Sequence, residues 1–225
     1  MRRFILGLAT LYFSANMAWG QSDACEGDVN GDMIVDLDDL LMLLIHYGQT
    51  CDSQVDSATI LYISEIHYNP NSAQGNDSDW EFLELYNPNP TAIQLGGWSI
   101  GNAVQCSFQS TDTIPPFGFF VAARNLDSLS AILPELNYAR QWNSGESLNN
   151  TGETVEVIAP DGTVVSAVAY EDNDGWVPEP DGTGPSLEWM DPNLDNAAAD
   201  SWTFSLVFGG TPGWANSMWG LSDFE

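Results

Sequence analysis

The sequence predicts an all-β sandwich for the main body of the chain, after a short helical segment. Three observations carry this. From about residue 57 the apolar residues recur with period two, in Ile60–Tyr68, Phe82–Tyr86, Phe119–Ala123, Val155–Ile158 and Val164–Tyr170. Turn-forming residues separate these runs at short intervals. About 160 residues of such short strands are enough for a two-sheet or barrel core.

The N-terminus reads as an export signal covering residues 1–20. Arg2 and Arg3 supply a basic start, Phe4 through Phe13 an apolar stretch, and Ala18 and Gly20 small residues ahead of Gln21. Thr10, Ser14 and Asn16 interrupt the segment, which falls short of the about 20 apolar residues a bilayer span needs. The expectation is a secreted or cell-envelope protein with no membrane span.

Charge narrows the partners. The chain carries 32 acidic residues against four arginines and no lysine, for a net charge of −28. Two of those arginines lie in the export signal, so Arg124 and Arg140 are the strong cations of the remainder. Nucleic acid is set aside, because phosphate binding needs clustered Lys and Arg. Divalent cations, cationic partners and a salty exterior suit such a surface. Of the three cysteines, Cys25 and Cys51 bracket a compact segment and are expected to pair in an oxidising compartment. Cys106, in an alternating apolar run, is expected as a buried thiol.

Residues 25–51 carry a calcium-binding pattern. Asp28, Asn30, Asp32, Asp36 and Asp39 occupy positions 1, 3, 5, 9 and 12 of an EF-hand-type loop, with Ile34 offering its carbonyl at position 7. Alternate residues of a tight loop turn their oxygens inward, and the twelfth closes the shell from the helix that follows. That helix is marked by Leu40, Leu41, Leu44 and Tyr47, with Gly48 as its stop. The segment resembles the calcium half-repeat of dockerin modules in a Cys-flanked, single-repeat form. It departs from the pattern in Met33 at the position usually held by glycine, and in having one repeat, so a cohesin partner is not expected. The reading is a calcium-ordered, disulfide-clamped module, then a linker over 52–57.

The strands are separated by Asn69-Pro70-Asn71, Asn87-Pro88-Asn89-Pro90, Pro115-Pro116, Asp161-Gly162 and Asp181-Gly182. Asp161-Gly162, between two strand-like runs, predicts a hairpin. A short helical or irregular piece is expected near Leu126–Leu136. Ile63-Ser64-Glu65-Ile66 with Tyr68-Asn69-Pro70, then Glu81 to Pro88, then Leu95-Gly96-Gly97-Trp98-Ser99 and Ile114-Pro115-Pro116-Phe117-Gly118, follow one another in a characteristic order. The run Leu148–Val157, Asp161 to Val165, Asp181 to Glu188 and Gly209-Gly210-Thr211-Pro212-Gly213 complete the set. Over residues 58–216 this resembles the lamin tail domain family, with 217–225 left as a tail. The resemblance implies an immunoglobulin-like sandwich.

Function is read as binding rather than catalysis. His46 and His67 are the chain's two histidines, and neither belongs to an HExxH, GxSxG or P-loop motif. Trp98, after paired glycines, is expected as a core anchor. Glu84 shares a strand face with Phe82 and Tyr86, so its carboxylate needs a partner: a structural hydrogen bond, Arg124 or a loop backbone, or else a ligand. Trp142 and Trp219 are candidate sugar-stacking residues, whereas Trp176 and Trp214 are expected to cover sandwich edges. The leading expectation is a calcium-stabilised, non-enzymatic module for a protein or cell-surface polymer. A carbohydrate-binding accessory module is the first alternative, and a hydrolase using a carboxylate pair the second.

Overall fold

The computed structural model describes residues 59–76 and 79–219, together with Leu37 and Leu40, which are helical and exposed. The expected export signal, the calcium loop (Asp28, Asn30, Asp32, Ile34, Asp36, Asp39) and the Cys25–Cys51 pair lie outside the described residues. The chain divides into a unit over Met1–Val55 and a larger one over Asp56–Glu225.

The larger unit is an all-β sandwich. Its strands are β1 (Tyr62–His67), β2 (Phe82–Tyr86), β3 (Ile93–Gln94), β4 (Ser99–Asn102), β5 (Cys106–Ser107), β6 (Thr113–Ile114), β7 (Phe119–Ala123), β8 (Ala139–Gln141), β9 (Gly152–Ile158), β10 (Val164–Glu171), β11 (Leu187–Trp189) and β12 (Trp202–Phe204). Within this unit an α-helix, α1 (Leu126–Ile132), lies between β7 and β8, capped by Asn125, which accepts from the Ser128 N–H. The large sheet runs β12-β11-β1-β2-β7-β8 and the second β10-β9-β4-β5, with β3 and β6 paired separately. Pairing is antiparallel except for β7 with β8.

The expected runs Val155–Ile158 and Val164–Tyr170 become the hairpin β9–β10, closed around Asp161-Gly162 by the Ala159 N–H donating to the Thr163 carbonyl and the Gly162 N–H donating to the Ala159 carbonyl. The core between the sheets gathers Leu61, Ile63, Ile66, Leu83, Leu85, Trp98, Ile100, Val155, Val157, Val168 and Trp189. Ile63 and Ile66 share that core although three residues apart, which strict alternation forbids. A bulge between Ile63 and Glu65 supplies the extra residue, Ser64. Gly97, at φ 87°, turns the chain so that Trp98 enters the core.

The central strands are buried on both faces. β2 is covered along its whole length, and in β1 only Tyr62 is less than fully covered. One face meets the second sheet. The other lies under α1 and the segment 205–219, which bonds back to β1, β2 and β11 through its own side chains and backbone. The packed chain therefore continues past residue 216, because Ser217 and Trp219 are both held.

Candidate functional site

Three glutamates stand in a row on that second face. Glu65 of β1 pairs in register with Glu188 of β11 on one side and Glu84 of β2 on the other. All three are fully buried, and the two described arginines are paired elsewhere. Arg124 is bound to Glu81, and Arg140 forks onto Asp112 at 2.6 and 2.9 Å.

Hydrogen bonds replace the missing cation. Glu188 receives the Ser217 N–H at 2.8 Å and hydroxyl at 2.6 Å. Glu84 receives the Ser64 hydroxyl at 2.8 Å and the Gly213 N–H at 2.6 Å. Glu65 receives the Ser186 hydroxyl and the Thr211 N–H. Thr211 Oγ1 lies 3.2 Å from Glu65 Oε2 and 2.9 Å from Glu188 Oε1. One hydroxyl proton cannot serve both carboxylates at once. Burial, reinforced by the Glu188 charge, pushes Glu65 up to about 8. Glu84 is raised well above the usual carboxylate range by burial and by Glu65.

Gly210 explains why the segment lies so close. It adopts φ +82°, and a Cβ there would come within 2.1 Å of Glu65 Oε1 and 2.7 Å of Ser186 Oγ. Gly209-Gly210-Thr211-Pro212-Gly213 is thus a strap whose N–H and hydroxyl groups cap the carboxylate row.

Beside the row opens an apolar cleft of about 390 Å³. Trp80, Phe82, Leu129, Leu133 and Pro212 line it, with Ile132, Val207 and Phe208 at its rim and His67 and Gln74 as its polar members. Ile132, Val207 and Phe208 are 59%, 46% and 59% exposed, an apolar ledge around one cleft on a strongly acidic chain. His67 is buried, and burial lowers its pKa to about 4.

With this geometry in place, the sequence profile of the lamin tail domain matches residues 54–172, just over half of the chain. The chain belongs to the lamin tail domain family. No curated protein matches the sequence. The match ends before β11 and β12, yet β11 pairs directly with β1 inside it. The strap and its carboxylate row therefore join matched and unmatched parts of one lamin tail domain sandwich.

The candidate residues fall into place unevenly. Glu84 does find a loop backbone, that of Gly213, while Arg124 goes to Glu81 instead. Trp142 is corrected: it is 3% exposed, with its indole N–H given to the Glu146 carbonyl. Parallel pairing of β8 with β7 draws the residue after β8 into the core, where it offers no stacking platform. Trp219 is only partly buried. Its indole N–H donates to the Trp189 carbonyl at 2.6 Å, and its ring meets Tyr86 at 4.8 Å, so it holds the end of the segment 205–219 against β2 and β11. Trp214, expected to cover an edge, is 62% exposed beside Tyr138. Trp176 does pack inward, 6.2 Å from Trp202.

Among the described residues no group of His, Cys, Asp or Glu is arranged to hold a metal ion. Asp191 and Asp195 spend their oxygens on the backbone N–H groups of Asn193 and Ala197, which makes their D-x-N-x-D spacing a pair of turns. Cys106 is a buried free thiol, pushed up to about 12 by burial. Among the described residues no helix is long and apolar enough to cross a membrane. The cleft arises only on folding, since its wall combines β1, β2, α1 and the strap. The single local signal is the run Leu206-Val207-Phe208 directly before the paired glycines.

Proposed function

We propose that this protein is an exported, non-enzymatic binding module that engages a protein partner through the apolar ledge on its lamin tail domain. The observation that carries this reading is the ledge itself: Ile132, Val207 and Phe208 stand exposed around one cleft. Family membership supports an interaction role over a catalytic one. So does the state of the carboxylate row, since Glu65, Glu84 and Glu188 are buried beneath the strap and cannot flank a glycosidic bond.

The front segment is proposed to bind Ca²⁺ through Asp28, Asn30, Asp32, Asp36, Asp39 and the Ile34 carbonyl, stabilised by a Cys25–Cys51 bridge. Metal and bridge compensate for a segment too small to build its own core. Export rests on the pattern of residues 1–20.

The test is a pull-down from cell-surface extract with the wild type and with Ile132→Asp/Val207→Asp. Loss of the retained species in the variant is expected; equal retention excludes the ledge. Steady turnover of a glycoside or phosphoester panel by the purified chain would overturn the non-enzymatic reading. A second reading, carbohydrate binding, is favoured by one observation, the exposed Trp214 beside Tyr138. It requires a glycan-array signal that Trp214→Ala abolishes.

A further inference from the structure

The cleft has one polar end, and its hydrogen bonds are fully determined. The Asn71 N–H donates to Gln74 Oε1 at 2.7 Å. A backbone N–H can only donate, so the carboxamide orientation is fixed and Gln74 Nε2 is the atom facing His67 Nε2 at 3.2 Å. His67 Nε2 must accept, which puts the proton of the neutral ring on Nδ1. Burial keeps the ring neutral throughout the physiological range. Nδ1 is buried and has no hydrogen-bond partner among the described residues. Gln74 Nε2 carries two protons and His67 takes one, leaving a second N–H on a partly exposed residue of the cleft wall.

The side chains of the polar end therefore offer a donor, while Gln74 Oε1 and His67 Nε2 already accept. No charged side chain lines the cleft, so an ion entering it would lose hydration without compensation. The remaining wall is aromatic and aliphatic, and about 390 Å³ falls within the usual range for small-molecule sites.

We infer that the cleft binds a small, mainly apolar ligand carrying one carbonyl-type acceptor, with Gln74 Nε2–H as its donor. His67 is a positioning residue: it holds the Gln74 amide and fixes which proton remains available. The inference rests on reading this face as the binding surface, and it specifies what the cleft inside the ledge takes.

Acetophenone and ethylbenzene are the probes, since they share a skeleton and differ by a carbonyl in place of a methylene. Each is titrated into the full chain and followed by NMR at the Trp80 indole and the Gln74 side-chain amide. Both probes are expected to shift Trp80, and acetophenone alone to move the Gln74 amide proton downfield. In Gln74→Met the ketone-to-hydrocarbon affinity ratio is expected to fall about tenfold, the equivalent of about 1.4 kcal/mol for one hydrogen bond. Leu133→Trp, which fills the cleft, is expected to abolish both shifts. An unchanged ratio in Gln74→Met, an unmoved Gln74 amide, or binding that survives Leu133→Trp overturns the inference. So does the absence of any shift, which would leave only a water-filled recess. Because the wild-type amide shift needs no variant, a folding defect does not blunt the test. Failure here with successful partner capture through the ledge would separate the two readings.

Discussion

Replacing Glu65 with glutamine should change how the stability of the sandwich depends on pH. Glu65 is raised from 4.5 to about 8, so the folded state holds its proton more tightly than the unfolded chain does. The stability this provides is complete below pH 4.5 and drains away as pH rises towards 8. His67 works in the opposite sense. Its pKa falls from 6.5 to about 4, so its contribution is present above pH 6.5 and is lost on acidification. Between pH 6.5 and 8 ordinary carboxylates have finished titrating, and His67, as the unfolded imidazole loses its last protons, offsets only about half a kcal/mol. There the wild type should lose stability at up to about 1.4 kcal/mol per pH unit, a net loss of about 1 kcal/mol across the interval. For a domain of this size that is a fall of about 2–4 °C in Tm. Glutamine keeps an acceptor for Ser186 and Thr211 N–H and a donor for Thr211 Oγ1, without an ionisation. Urea denaturation followed by tryptophan fluorescence should give Glu65→Gln a shallower slope and a higher stability than wild type at pH 8. Glu84 shifts in the same direction, so Glu65→Gln/Glu84→Gln should flatten the profile further. A wild-type stability that is constant or rising over this interval, or a slope unaltered by Glu65→Gln, refutes the reasoning.

Other outcomes follow from the same packing. Gly210→Ala puts a methyl against Glu65 and Ser186 at positive φ, and should cost at least about 2 kcal/mol in urea denaturation. Arg124→Met removes the cation from Glu81, which is 3% exposed and keeps the Leu148 N–H, and should cost about 3 kcal/mol; Arg140→Met, which breaks the forked pair with the less deeply covered Asp112, should cost less, about 1–2 kcal/mol. The Cys106 thiol, buried and pushed up to about 12, should resist a disulfide reagent in the native protein and react once urea unfolds it. Calorimetric titration with Ca²⁺ should show binding that Asp28→Ala/Asp32→Ala removes; no heat with the wild type excludes the calcium loop.

Local pattern reveals local structure, and the strands show both the reach and the limit of that. Phe82–Tyr86 and Phe119–Ala123 coincide with β2 and β7, because alternation and β-branched or aromatic content act within a single strand. β1 was harder: the bulge at Ser64 shifts its facing, so Ile63 and Ile66 share the core and Glu65 joins the opposite face. Nothing in a linear pattern marks such a slip. Glu84 was legible as a buried carboxylate in need of a partner, since Leu83 and Leu85 fix its side. Its neighbours Glu65 and Glu188 were not, because the row exists only across three paired strands. The tryptophans fared worst. Exposure of a loop aromatic depends on what lies over it, so Trp142 went inside under β8 and Trp214 stayed out.

The central claim is that the strap is a fixed part of the lamin tail domain and gives the binding face its shape. Backbone hydrogen exchange at Thr211, Gly213 and Ser217 tests it most directly, since these N–H groups are donated to Glu65, Glu84 and Glu188. At pH 6.5 their protection should approach that of β1 and β2 amides. Exchange at the rate of an open loop would contradict the account.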